Sequence, residues 1–180
     1  MNRLSQLALQ ARYNQWMNDK LYQAVARLPA AALQRDMGAF FGSVFGTLNH
    51  IVVGDTLWLQ RYRQHPAGFP ALHALQDLAQ PASLNGLLFD NLPALRTRRQ
   101  LLDQVIIQLC AGLQECDLDQ PLAYHNTRGV AQCKNFHALL LHFFNHQTHH
   151  RGQATTLLSQ LGENVGITDL ISLIDDIPPS

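Results

Sequence analysis

The segment His142-Phe-Phe-Asn-His146-Gln-Thr-His149-His150-Arg151-Gly152-Gln153 places four histidines within nine residues, three of them four apart. On a helix, residues four apart sit on one face, about 40° from each other around the axis. Two imidazoles so placed can grip one metal ion, because chelation needs convergent lone pairs. The competing reading is a polar seam in a core, its imidazoles satisfied by hydrogen bonds. With His146 at zero on a helical wheel, Leu139 and Leu157 lie at about +20°, His150 at about +40° and Phe143 at about +60°. Gln153 and His142 lie at about −20° and −40°. The histidines thus share a face with the residues that should point inward. The repeat favours chelation over a core role, but a pair needs a third donor.

His50 is the best candidate for it. On its own helix Ser43, Gly46 and Gly54 lie within about 40° of it. Small neighbours leave room for water or substrate, or they let two helices approach closely; the residues alone leave both readings open. Three histidines with no nearby acidic ligand leave positions free on a metal, which is the pattern of a catalytic site. Imidazole suits Zn, Ni, Fe or Cu, and three of them do not select among these. His142 reads as a fourth donor or a supporting partner. Arg151 and Gln153 could orient neighbouring groups, although Arg151 reads more simply as a solvated surface residue. His65, His73, His125 and His137 read as exposed polar residues, with His125 able to border a site. Asp55 is a weak candidate for a general base, and a solvated or capping role suits it better.

Composition narrows the alternatives. The 180 residues carry no net charge, are 47% hydrophobic and only 14% charged. That suits one domain with a substantial core and argues against disorder. No basic field exists to bind nucleic acid; the one dense basic cluster is Arg96, Arg98 and Arg99. No run approaches the roughly 20 apolar residues of a membrane span, and the start lacks a signal-peptide core. Three cysteines without CxxC spacing fit reduced, buried thiols in a cytoplasmic protein. Glu115 and Glu163 are the only glutamates, too few for a di-iron carboxylate bundle.

Four long amphipathic stretches must position the histidines. Residues 4–28 read as a helix ended by Pro29, with Leu7, Trp16, Leu21 and Val25 on its apolar face. Residues 38–63 read as a second helix, apolar nearly all round from Phe40 and Phe41 to Trp58, hence central or at an oligomer interface. Residues 64–92 form a long Pro- and Gly-bearing connection with a short helix near Leu72–Leu78; so long a connection is often functional. A third helix covers 93–116. Residues around Tyr124–Ala131 signal a small turn or hairpin. The fourth helix runs over 135–161, capped by Asn135 and stopped at Gly162. Thr168 or Asp169 caps a short final helix through Ile174, and Pro178 and Pro179 follow. The sum is an all-α four-helix bundle with long crossover loops and a short C-terminal helix.

At these residues the chain resembles the DinB superfamily of DinB/YfiT-like metalloenzymes. Asn145-His146-x-x-His149-His150-Arg151-Gly152-Gln153 followed by Asp169-Leu170-Ile171 carries the likeness, with Tyr13-Asn14-x-Trp16-x-Asn18 and Leu48-Asn49-His50 in support. The resemblance spans nearly the whole chain. It implies an up-down-down-up four-helix bundle, usually a homodimer, and a divalent metal held by His50, His146 and His150. Relatives include thiol transferases, which add a low-molecular-weight thiol to an electrophile, and mycothiol-dependent isomerases. The expectation is therefore a divalent-metal-dependent thiol S-transferase, with Zn or Ni ahead of Fe or Mn. Its partners would be a small-molecule thiol and an electrophile. The electrophile would enter beside the small residues of helix two, and Tyr13, Trp16 and Asn18 would line the pocket, Trp16 reading equally as core. The rival classes are a non-catalytic metal- or small-ligand-binding protein of the stress response and a metal-dependent hydrolase.

Overall fold

A computed structural model describes residues 1–81 and 83–177. Pro178 and Pro179 lie outside the described residues. The chain is predominantly helical. Four long helices, α1 (Arg3–Val25), α3 (Val44–Tyr62), α4 (Leu92–Gly112) and α6 (Phe136–Gln160), share one core with two short ones, α2 (Ala30–Gln34) and α5 (Glu115–Leu118). A two-stranded antiparallel hairpin, β1 (Pro121–His125) with β2 (Ala131–Asn135), precedes α6. Short 3-10 turns cover Pro70–Leu75 and Leu170–Leu173. No described helix is long and apolar enough to cross a membrane.

Each long helix begins on a polar side chain that takes up an otherwise orphaned backbone N–H. Asn2 accepts from Ser5, Ser43 from Gly46, Asn91 from Ala94 and Asn135 from Ala138, at 2.8–3.0 Å. Such a cap contributes about 1 kcal/mol. The caps decide the boundaries more than apolar periodicity does. Helix α1 stops at Val25, and Pro29 starts α2 instead of ending α1. The expected 93–116 helix divides at Leu113, and Gln114 with Asp117 forms a capping box that starts α5.

The largest boundary error is at the second helix. Met37 and Gly42 close a tight turn (Met37 N–H to the Gly42 carbonyl, 2.7 Å), with Gly38 and Gly42 at φ +66° and +72°. Helix α3 therefore begins only at Val44, and Phe40 and Phe41 are loop residues. Within α3, 15 of 19 residues are buried, among them Val44, Leu48, Val52 and Leu59. The α3 helix packs on α4 and α6, and α1 packs on the same two. Its all-round apolarity is thus satisfied inside this chain and asks for no second copy.

A buried polar network ties the four long helices together. Asp55 on α3 pairs with Arg99 on α4 and accepts from Gln147 on α6 (2.8 Å). Arg99 also lies 3.1 Å from Asp103, which accepts from Asn14 and Asn18 of α1 at 3.0 and 2.8 Å. Arg151 of α6 closes the ring on Asn14. Burial works against the Arg99 charge, but Asp103 and Asp55 outweigh it and hold the guanidinium protonated. Asp55 and Arg151, read from sequence as solvated, are both buried here.

Candidate metal centre

Helix α3 contributes His50 and helix α6 contributes His146 and His150, the last two one turn apart on the face turned towards α3. Their donor nitrogens all lie within 4.8 Å of one another. The His50 Nε2 is 3.3 Å from that of His146 and 3.1 Å from that of His150. The outer nitrogens decide what these inner ones carry. His50 Nδ1 lies 2.9 Å from the Leu84 carbonyl, an acceptor only, so its proton sits there. His150 Nδ1 donates to Gln153 Oε1 at 2.8 Å. Both Nε2 atoms then present bare lone pairs to each other. Two acceptors at that distance repel unless a cation lies between them, so the donor set fits a metal ion. Outer partners of this kind are what fixes the tautomer of metal-ligating histidines. His146 Nδ1 is buried without a hydrogen-bond partner.

Protons compete poorly for this cluster. Burial pulls the His146 imidazole down to about 3, and the neighbouring His150 and His50 pull the same way. Burial also lowers His50 and His150. Imidazoles held neutral are the form that binds a metal.

The surroundings show how the fold builds the site. Gly54 sits one turn beyond His50. A Cβ there would stand 2.8 Å from His146 Cε1, so the ring occupies the space a side chain would fill. At Gly46 a Cβ would meet the Phe41 carbonyl at 2.1 Å. Gly46 therefore serves close approach, whereas Gly54 serves both readings, making room for the His146 ring and lining the cavity beside the histidines. Asn49 accepts from the backbone N–H groups of Leu88 and Phe89 at 2.9 and 3.0 Å, which pins the long α3–α4 connection near Leu84.

Gln153 orients His150, as its place on the wheel suggested. His142 is exposed and stands apart from the donor cluster, its ring 6.1 Å from His146 and 5.1 Å from Trp58. Together with His50 and His146 it lines a cavity of about 250 Å³. Arg151 is engaged with Asn14 and, at 3.1 Å, Thr148, and burial lowers it to about 10. Tyr13, Trp16 and Asn18 do not line that cavity. Tyr13 donates to the Thr168 carbonyl (2.7 Å), Trp16 packs on Tyr13 and Lys20, and Asn18 holds Asp103. Their helix faces α4 and α6, away from the side of α3 that opens to the cavity. His65 is buried, not exposed, stacked on Phe69 and packed at a tilt against Phe136. Of the cysteines only Cys110 is buried; Cys116 and Cys133 are exposed.

Two participants escaped the sequence reading. Phe41 stacks on His50 with ring centres 3.9 Å apart and meets His150 edge-on. The flanking Gly38 and Gly42 were the available signal for a turn there. The Leu84 carbonyl had no signal at all, since backbone oxygen belongs to every residue type.

The DinB family profile matches residues 1–177. The chain belongs to the DinB family. Over 157 residues it is 26% identical to the protein DinB of Bacillus subtilis (strain 168), covering 87% of either chain. No solved structure matches the chain significantly. In this DinB-family chain the histidine triad that could hold a metal is set on two long helices, α3 and α6.

Proposed function

We propose that this DinB-family protein is a divalent-metal-dependent enzyme that transfers a low-molecular-weight thiol to an electrophile. The observation that carries the reading is the pair of facing lone pairs on His50 and His150, fixed from outside by Leu84 and Gln153. His50, His146 and His150 would hold the ion, Zn or Ni ahead of Fe or Mn, and leave its remaining positions towards the cavity. A bound divalent ion supplies Lewis acidity, which favours the thiolate form of a thiol at neutral pH. The chain's residues do the rest. Leu84 and Gln153 keep the His50 and His150 protons on the outer nitrogens. Phe41 covers the His50 ring and keeps water from that side. Trp58, Tyr124 and His142 wall the space where the electrophile would lie.

Thiol chemistry is favoured over hydrolysis by the lining of that cavity, which among the described residues includes no Asp or Glu. Attack by water would want a base, and outside the triad the cavity offers only the His142 imidazole for it; a thiol near its pKa needs none. The four long helices would follow the family's up-down-down-up course, and the chain would act as a cytoplasmic homodimer. Since α3 is covered within the chain, the dimer contact would lie on another surface, such as the one around Phe40, which is 81% exposed.

Metal analysis of untagged protein should find about one divalent ion per chain, and His146→Ala should lose it. A thiol-plus-electrophile assay should show turnover that chelation abolishes and metal restores. No ion bound under replete conditions would overturn the site. An ion without turnover across several thiols would leave a binding protein.

A further inference from the structure

Arg61 stands where two cavities meet. The larger, of about 630 Å³, shares Leu57, Arg61, Leu84, Asn126 and Thr127 with the smaller one at the histidines. On α3, His50, Gly54, Leu57, Trp58 and Arg61 all line the smaller cavity. They follow helical spacing along one face, and His50 and Arg61 are about 16 Å apart in rise. A ligand of peptide size can therefore touch both ends.

The guanidinium of Arg61 is held in place but unpaired. Its Cζ lies 4.7 Å from the Trp58 ring centre and 5.2 Å from that of Tyr124. Cation–π attraction to two rings fixes the group and leaves its N–H edge free. Among the described residues no carboxylate lies within ion-pair distance of it, whereas Arg3, Arg27 and Arg99 each have one. Neither cavity is lined by Asp or Glu among those residues. Burial pulls the Arg61 pKa down, as expected for a cation without a counter-charge.

A second group nearby also lacks a partner. Gln60 lines the larger cavity and is 9% exposed. Its Nε2 donates to the Leu78 carbonyl at 2.7 Å, while its buried Oε1 accepts from nothing. A buried acceptor calls for an N–H donor. A free guanidinium fork matches a carboxylate in bidentate fashion. One cation beside amide side chains suits a singly charged carboxylate better than a phosphate dianion.

We propose that Arg61 anchors the carboxylate of a peptide-like thiol whose sulfur end lies at the histidines, with the Gln60 amide turning towards the cavity to take an N–H of its backbone. This rests on the thiol reading above. The test uses the full chain loaded with zinc and four probes, N-acetyl-Cys-Gly, N-acetyl-Ala-Gly and the C-terminal amide of each, with calorimetry as the readout. The acid of the Cys pair should bind roughly tenfold more tightly than its amide, the size of one charge-assisted pair. Arg61→Gln should abolish that preference and Arg61→Lys should keep part of it, with zinc content unchanged in both. Equal binding of acid and amide by the unaltered protein would overturn the anchor and leave the thiol reading standing. A carboxylate preference in the Ala pair with no gain from sulfur would sink the thiol reading and keep the anchor. Competition by inorganic phosphate as effective as that by the peptide acid would overturn the carboxylate assignment. Binding of none of the four would overturn both.

Discussion

An imidazole's neighbours decide its use, and the nine histidines divide accordingly. His65 is the instructive case. Its Nδ1 accepts from the Ala67 N–H at 3.2 Å, and its ring stacks on Phe69 and packs at a tilt against Phe136. Burial depresses its pKa below 6.5. The folded state thus binds this proton less readily than the unfolded chain does. Its contribution is complete above pH 6.5 and is lost as pH falls below that value. Urea midpoints measured from pH 8 to 5 should fall towards acid in the native sequence, and the slope should be shallower in His65→Phe. An unchanged slope would show that His65 titrates alike in both states. From sequence His65 looked like a loop residue, because Pro66 and Gly68 follow it; only long-range packing on Phe136 hides it. His146 and His150 were legible because their partners sit on the same helix at a fixed period.

At the scale of elements, the α3–α6 contact is set by an absence of side chain. Gly54 costs α3 about 1 kcal/mol relative to Ala in helix propensity. The return is the space that the His146 ring fills, 2.8 Å from where a Cβ would be. Gly54→Ala should therefore leave thermal stability close to the native value while lowering zinc affinity by roughly tenfold or more, since ligand placement within a few tenths of an ångström is lost. A competition titration against a chromophoric chelator reads this directly; unchanged affinity would mean that the ring swings aside freely. The four long helices could be read from their apolar periods. The ends of α6 could be read as well, from Asn135 and Gly162, whereas the starts of α3 and α4 could not, because Ser43 and Asn91 outrank the apolar residues around them. The glycines near His50 were visible as small residues, but what each meets was not: Gly46 meets the Phe41 carbonyl of the preceding turn, and Gly54 meets His146 on α6, about ninety residues later.

At the scale of the molecule, the ring of Asp55, Arg99, Asp103, Asn14, Asn18, Gln147 and Arg151 is the feature least visible beforehand. From sequence Asp55 and Arg151 read as solvated and Asn18 as a pocket residue, and nothing linked them to the others. Only when four helices surround one axis do these positions face each other. Removing one member leaves buried charge unpaired, which costs about 3–5 kcal/mol. Arg99→Met should lower the stability measured by urea denaturation by that amount, with Asp55 and Asp103 left facing each other. A loss below about 1 kcal/mol would show that water or rearrangement takes over the role of Arg99. The hydrophobic core would have formed from pattern alone; the ring fixes which rotation of each helix about its own axis is allowed, and so which face of α6 presents His146 and His150.

The separation of the donors along the chain has a consequence for the order of assembly. His50 and His150 are 100 residues apart. A growing chain that has reached the hairpin holds one donor of the three. Contacts so distant in sequence form late, after loop closure has been overcome. Until α6 is made, the unfinished polypeptide would offer only His50 of the three; the His146–His150 pair would come with α6, and the third donor would join only when α6 docks against α3. Full coordination of an ion would therefore report the completion of folding.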